Sequence, residues 1–234
     1  MYSEGKIIVG ASNGEPICIY PSKICRHGLI AGATGTGKTT TLKVLAESFS
    51  DAGIPVFLAD VKGDLAGLAF EGEPSERIDS RAEKLGLTEK GFHYHKFPVN
   101  FWDVFGKGGM PLRTTVSEMG PLLLSRVLNL SETQSAILTI LFKIADDEDL
   151  LLIDTKDLKA LLQFVSENRA EYSMQYGNMS SQSLASILRA VIALETEGAD
   201  KFIGEPAVNI QDFIDWNEDG QGLLQVLDCR ELFL

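Results

Sequence analysis

The sequence has little cysteine and no long apolar run. Its three cysteines, Cys18, Cys25 and Cys229, are odd in number and lack metal-ligand spacing, which excludes a disulfide scaffold and favours a reducing compartment. Apolar stretches such as residues 122–124 and 150–153 are far too short to span a bilayer. The first ten residues also lack the basic and apolar regions of a secretory leader. We therefore expect a cytoplasmic protein without membrane insertion.

Positive charge is also scarce. The chain has 21 Lys and Arg against 33 Asp and Glu, which gives a net charge of -12. Such a surface repels phosphate backbones on average, so any contact with DNA must come from a few local basic positions. In contrast, the 44% hydrophobic content over 234 residues is enough for one large folded domain, or for one domain with an insertion.

A βαβ unit is predicted near the amino end. Residues 27–31 form a short apolar segment that enters a glycine-rich loop. Helical spacing predicts a helix over residues 39–50, and the residues on its apolar face are Leu42, Leu45 and Phe49. An unbroken apolar run, residues 56–59, then ends at Asp60, as is typical of a parallel strand buried on both faces. Strand, helix and strand together predict an α/β protein.

Other elements are predicted on either side of this unit. Residues 7–9 and 17–20 are β-rich runs around an Asn13-Gly14 turn, which predicts a β-hairpin. From Arg113 onward the pattern becomes helical, and a capping box begins one of the helices at Ser131. A final apolar strand is predicted over residues 223–227.

These elements predict an α/β core with an amino-terminal hairpin and an all-helical insertion. We expect residues 1–112 to form the first part of the core, residues 113–205 the insertion, and residues 206–234 the return to the core.

The glycine-rich loop fits the phosphate-binding consensus G-x-x-x-x-G-K-[ST]. Its glycines let successive N–H groups point at one phosphate, Lys38 would reach the β- and γ-phosphates, and the Thr39 hydroxyl would bind Mg²⁺. A chance glycine turn is the alternative, but the loop follows a predicted strand and begins a predicted helix, as phosphate binding requires. No guanine-reading Asn-Lys-x-Asp is present, which favours ATP. The residues predicted to hold the nucleotide are Gly32, Ala33, Thr34, Gly35, Thr36, Gly37, Lys38, Thr39 and Thr40.

Two carboxylates follow the second strand of the βαβ unit. Ligands bind beyond the carboxyl ends of parallel strands, so Asp60 and Asp64 are candidates for contact with Mg²⁺ or the attacking water. We predict Lys38, Asp60 and Asp64 as catalytic residues, and Thr39 and Asp60 as metal ligands. The alternative is that these carboxylates bond only their own turn. Asp154 also ends an apolar run, but we interpret it as the N-cap of a helix.

Several segments resemble the HerA-like bacterial ATPases of the FtsK/HerA translocase group, in a branch of poorly defined role. They are HGLIAGATGTGKT (residues 27–39), ADVKGDL (59–65), RTTVSEMGP (113–121), QYGN (175–178) and FIGEP (202–206). The resemblance implies a RecA-like core, ATP hydrolysis and hexameric rings that move DNA through a central channel. It places Asp60 and Asp64 where relatives carry an Asp-x-x-Gly-Glu-type turn, and makes Arg113 a weaker candidate for contact with nucleotide or a neighbouring subunit.

The chain also departs from that family pattern. Relatives have a later strand that ends in Asp-Glu, the Walker B strand, whereas the last predicted strand here is followed by Asp228 and Cys229. We therefore expect the amino-terminal part of a longer ATPase, which binds the nucleotide with weak or absent turnover by itself. A second hypothesis is a nucleotide-gated binding or assembly module that moves no DNA. A small-molecule kinase is disfavoured because the helical region has few arginines.

Overall fold

A computed structural model describes residues 1–13 and 15–232, so Gly14 of the predicted hairpin turn lies outside the described residues. The chain forms two compact units. Unit 1 contains Met1–Asp103, Gly108–Met110 and the residues from Asn209 onward, and unit 2 contains Val104–Lys107 and Pro111–Val208. None of the helices in the described part of the chain has the length and apolarity that a membrane crossing needs.

The described residues of unit 1 form two sheets and two α-helices, besides short 3-10 turns. In chain order its elements are β1 (Tyr2–Ser3), β2 (Lys6–Ser12), β3 (Glu15–Ile19), α1 (Lys38–Asp51), β4 (Val56–Asp60), α2 (Glu76–Lys84) and β5 (Val99–Asp103). A short β6 (Met110–Pro111) follows, and the unit is completed by β7 (Leu224–Asp228), which is numbered after the helices of unit 2. The first three strands form an antiparallel sheet, and the other four form a sheet of order β4-β7-β5-β6.

The strand β7 lies between β4 and β5 and runs parallel to both. Val56 and Val99 both pair with Leu224, and Asp60 and Asp103 both pair with Asp228. A buried cluster that includes Ala46 of α1, Leu58, Leu224 and Val226 covers one face of this sheet. The chain is therefore a mixed α/β protein with a parallel sheet at the centre of unit 1.

The structure confirms part of the predicted βαβ unit and corrects the rest. The predicted helix and second strand are present as α1 and β4, but β4 is not buried on both faces, because Phe57 and Ala59 are exposed. The prediction of a strand over residues 27–31 is wrong: these residues have no strand conformation, and Leu29 is 90% exposed. A strand needs a hydrogen-bonding partner as well as apolar side chains, and in the described chain this segment is paired with no strand.

A tight clamp joins the turn between α1 and β4 to the segment before β7. The Ser50 hydroxyl donates to the Gly222 carbonyl oxygen at 2.7 Å, and the Gly222 N–H donates to the Ser50 carbonyl oxygen at 2.9 Å. The Trp216 indole N–H donates to the Gly53 carbonyl oxygen at 2.7 Å. A Cβ at Gly222 would lie 2.3 to 2.5 Å from main-chain atoms of Ile54 and Pro55. Only glycine fits at this position.

Unit 2 is helical. Its helices are α3 (Val116–Val127), α4 (Glu132–Asp147), α5 (Thr155–Glu167), α6 (Arg169–Tyr176), α7 (Ser181–Thr196) and α8 (Ala199–Phe202). Capping boxes begin three of them, at Thr115, Ser131 and Asp154, so the predicted capping roles of Ser131 and Asp154 are confirmed. The helix α3 is kinked at Gly120, where φ is 66° and Pro121 follows. The unit has its own buried core, drawn from the helices α3, α4, α5 and α7 together with Tyr172 of α6.

Candidate nucleotide-binding site

The glycine-rich loop leads directly into α1, the first helix of unit 1. Gly35 and Gly37 have φ values of 82° and 93°, in the left-handed region that side chains other than hydrogen avoid. Gly37 is the N-cap of α1 and Lys38 is its first residue. The consensus residues therefore lie where the mechanism of phosphate binding needs them, at the amino end of a 14-residue helix.

The amide groups around this helix end have no protein partner. Among the described residues, the main-chain N–H groups of Gly35, Gly37, Lys38, Thr39 and Thr40 have no hydrogen-bond acceptor, and no side chain caps the helix. Unpaired N–H groups and the helix dipole together attract an anion. These donors fit a polyphosphate, since each can bond a phosphate oxygen without breaking a protein bond.

The Ala33 carbonyl oxygen holds the loop together. It accepts three hydrogen bonds: from the Lys38 ammonium at 2.8 Å, from the Thr36 hydroxyl at 2.7 Å and from the Thr36 N–H at 3.4 Å. A Cβ at Gly32 would lie 2.5 Å from the Thr36 hydroxyl oxygen, so the Thr36 side chain occupies the space that glycine leaves open. The Lys38 ammonium is thus held on its own loop, at the head of the helix.

The loop and the carboxyl end of β4 face the same sheet edge. The four residues 52–55 connect α1 to the start of β4, so the helix runs antiparallel to the strand and its first turn lies toward Asp60. This is the edge at which parallel α/β sheets bind ligands. Two cavities of the described chain lie elsewhere, one beside Glu205 in unit 2 and one beside Val99 at the amino end of β5. Residues 32–36 are exposed, so the candidate site is an open loop and not a closed pocket.

Asp60 is buried, and the main chain of its own loop surrounds its carboxylate. Its Oδ1 atom accepts the N–H groups of Lys62, Gly63 and Asp64 at 3.2, 2.7 and 3.3 Å. Its Oδ2 atom accepts the N–H group of Leu65 at 3.0 Å. Only 6% of Asp60 is exposed. Both oxygens thus shape the turn, which is the alternative that the sequence left open.

Asp64 and Asp60 occupy the same loop in different ways. The side chain of Asp64 is exposed, and no protein donor in the described chain bonds it. Asp64 can therefore take a ligand through either carboxylate oxygen, whereas Asp60 keeps acceptor capacity only at Oδ2, which accepts a single N–H group.

Three parallel strands end in register on aspartates. Asp60, Asp228 and Asp103 lie side by side at the carboxyl ends of β4, β7 and β5. Asp103 accepts the Gly108 N–H at 2.9 Å and is 6% exposed. Burial raises the pKa of the neighbouring Cys229 thiol, and the charges of Asp228 and Asp60 raise this pKa further. The aspartates alone therefore give this edge of the sheet a strongly negative charge.

Arg230 is a residue at this edge that the sequence analysis did not select. Its Nε atom donates to both carboxylate oxygens of Asp228, at 3.0 and 3.1 Å, and one terminal nitrogen donates to Asp228 Oδ2 at 2.6 Å. Its side chain crosses the β4 loop so closely that a Cβ at Gly63 would lie 2.9 Å from Arg230 Cδ. The available sequence pattern was an arginine two residues after a strand-ending aspartate.

Arg113 belongs to unit 2 and not to the unit that holds the loop. Its terminal nitrogens donate to the Glu205 and Asp200 carbonyl oxygens at 2.7 and 3.2 Å. Its Nε atom is buried without a hydrogen-bond partner among the described residues. The contacts of Arg113 therefore fix a turn of its own unit.

The parallel sheet with a phosphate-loop sequence at the head of α1 is compatible with a P-loop-like α/β fold. The family described as "Helicase HerA-like C-terminal" matches residues 6–234, nearly the whole chain. The chain belongs to this HerA-like family, which is generally nucleotide- and DNA-related and oligomeric. No curated protein matches the chain.

Proposed function

We propose that the chain binds Mg·ATP on residues 32–40 and belongs to an ATPase of the HerA/FtsK type, which moves DNA by ATP hydrolysis. The observation that carries the proposal is the group of unpaired amides at the amino end of α1, with Lys38 beside them. Membership of the HerA-like family supports the ATPase class. Three free cysteines fit a cytoplasmic location, where thiols stay reduced.

Each group of loop residues would make a different contact with the nucleotide. The unpaired amides of Gly35 and of residues 37–40 would bond phosphate oxygens, and Lys38 would exchange the Ala33 carbonyl oxygen for the β- and γ-phosphates. The Thr39 hydroxyl would bind Mg²⁺, which supplies neutralising charge to the phosphates when it is bound. Gly32 and Thr36 keep the loop compact, because the Thr36 hydroxyl bonds the Ala33 carbonyl oxygen and lies over Gly32.

We assign two different roles to the acidic residues of the β4 loop. Asp60 holds the loop through both oxygens, and its Oδ2 atom, which accepts a single N–H group, is the oxygen that would bind the ion. Asp64, whose carboxylate is exposed, orients the attacking water or a water on the metal. Because Cys229 and not glutamate follows Asp228, we infer slow turnover by these residues without a further acidic group.

Lys38→Ala tests nucleotide binding. We expect the affinity for Mg·ATP, measured by calorimetry, to fall by at least tenfold, since a charge-assisted contact to phosphate is lost. Lys43→Ala, five residues later on the same helix, is the matched control and should bind like the unaltered protein. Equal affinity in all three proteins would refute the proposal.

The proposal of an ATP-driven motor includes DNA movement and a hexameric ring. There is also a second candidate function. A nucleotide-gated assembly module without DNA transport is favoured by the net charge of -12 and by the occupied oxygens of Asp60. The rate of ATP hydrolysis with and without double-stranded DNA separates the two. Stimulation by DNA supports the motor, whereas ATP-dependent assembly with a DNA-independent rate supports the module.

A further inference from the structure

The carboxyl edge of the sheet holds one cation in a fixed position. The Arg230 guanidinium is bound by Asp228 through three side-chain contacts, and the Arg230 main-chain N–H also donates to Asp228 Oδ1 at 3.0 Å. A flexible surface arginine would lose conformational entropy on binding a ligand. The entropy cost for Arg230 is lower because Asp228 already orients its guanidinium.

One face of this guanidinium remains available. The second terminal nitrogen has no acceptor among the described residues, and 61% of the side chain is exposed. Guanidinium N–H groups match phosphate oxygens in geometry and charge. An arginine held by a carboxylate on one side and open on the other can therefore bind an oxyanion without rearrangement.

Arg230 also contacts the loop that follows β4. Gly63 has a φ of 76°, and its lack of a side chain lets the Arg230 stem lie across it. The strand β7 is the direct neighbour of β4, so Arg230 and the Asp60–Asp64 loop share the edge toward which the first turn of α1 lies. A ligand that displaces the Arg230 side chain would therefore also change its contact with that loop.

We propose that Arg230 contacts the terminal phosphate of the nucleotide and distinguishes ATP from ADP within the same chain. This inference rests on the proposed ATP binding. The contact exists only when a third phosphate extends beyond the first two, which the loop amides hold, and Arg230 then shares this phosphate with Lys38. Loss of the terminal phosphate then releases Arg230 from the ligand and leaves it on Asp228 and Gly63.

The experiment compares affinities for Mg·ATP and Mg·ADP, measured by calorimetry, in Arg230→Gln, Arg230→Lys and the unaltered protein. We expect Arg230→Gln to weaken ATP binding about 10- to 100-fold and to leave ADP binding unchanged. Arg230→Lys should keep part of the preference for ATP over ADP because lysine keeps the positive charge. Arg189→Gln, which removes an exposed arginine of unit 2, is the control and should keep both affinities.

The possible results separate the two proposals. An unchanged ratio of ATP to ADP affinity in Arg230→Gln, or an equal fall in both affinities, overturns the role of Arg230 while nucleotide binding stands. Failure of the unaltered protein to bind either nucleotide overturns the proposed function itself, and the role of Arg230 with it. A thermal unfolding curve for each variant shows whether the fold is kept.

Discussion

Replacing Gly222 by alanine should destabilise unit 1 strongly. The added Cβ would lie 2.3 Å from the Ile54 carbonyl carbon and 2.4 Å from the Pro55 nitrogen, both of them main-chain atoms that cannot rotate away. Carbon atoms pack at about 3.5–4.0 Å, so the chain must move by about 1 Å. Overpacking costs about 1–3 kcal/mol, and the movement also weakens two hydrogen bonds with Ser50, each worth about 1 kcal/mol. We expect a total loss of about 3 kcal/mol in the free energy of unfolding.

Thermal unfolding followed by calorimetry measures this effect. For a chain of this size, a loss of about 3 kcal/mol lowers the melting temperature by about 6–12 °C. Gly67→Ala is the control, because nothing lies within 4 Å of its added Cβ and its φ is not positive. It should melt within about 2 °C of the unaltered protein. If Gly222→Ala melts as Gly67→Ala does, the close packing of the clamp is refuted.

Three other changes test the packing and charge of both units. Asp154→Ala removes two amide contacts at the start of α5 and should cost about 1 kcal/mol of unfolding free energy in a denaturant titration, whereas no loss would refute the cap. Trp102→Phe leaves the buried Gln225 carbonyl without its 2.7 Å donor and should cost about 1–3 kcal/mol by the same titration; a neutral result would show that another donor replaces it. Hydrogen bonds from Lys159 and Thr155 lower the pKa of Glu195 below 4.5, so this stabilisation is complete above pH 4.5 and is lost as pH falls through the folded pKa. Glu195→Gln should therefore reduce stability at pH 7 and flatten its fall below pH 4.5; an unchanged pH profile of unfolding would contradict the linkage.

Apolar spacing and capping residues within single segments predicted the presence of most helices and strands. The spacing of Leu42, Leu45 and Phe49 did not predict the buried face of α1, since its buried residues are Ala46, Ser48 and Ser50. Spacing still predicted that α1 and β4 exist, because it depends only on the residues of one segment. Capping residues predicted helix starts for a similar reason, since their side chains bond amides within the same turn. The helix α6 was not predicted: its eight residues carry a single buried side chain, Tyr172, and so show little periodicity.

Long-range pairing could not be predicted in the same way. Nothing near Val56 indicates that its partner on the neighbouring strand is Leu224, because strand order depends on contacts between distant parts of the chain. The incorrect strand at residues 27–31 has the same cause, since its apolar sequence says nothing about an available partner.

The candidate site was predictable where a motif describes one continuous segment. The loop from Gly32 to Thr39 is such a segment, and its position at the amino end of α1 agrees with the motif. Arg230 is different, because its relation to Gly63 exists only once β7 lies beside β4. One clue was available: residues 57–60, 100–103 and 225–228 each end an apolar run with aspartate, which marks three strand ends at one edge.

The middle position of β7 has a consequence for synthesis on the ribosome. The strands β4 and β5 do not pair with each other, and their shared neighbour ends at Asp228, 125 residues after Asp103. At about 5–20 residues per second, translation of that interval takes roughly 6–25 s. Through this time two apolar strands have open edges in the nascent chain, while the helices of unit 2 are being made. Completion of the central sheet therefore has to wait for a strand that follows the whole of unit 2 in the sequence.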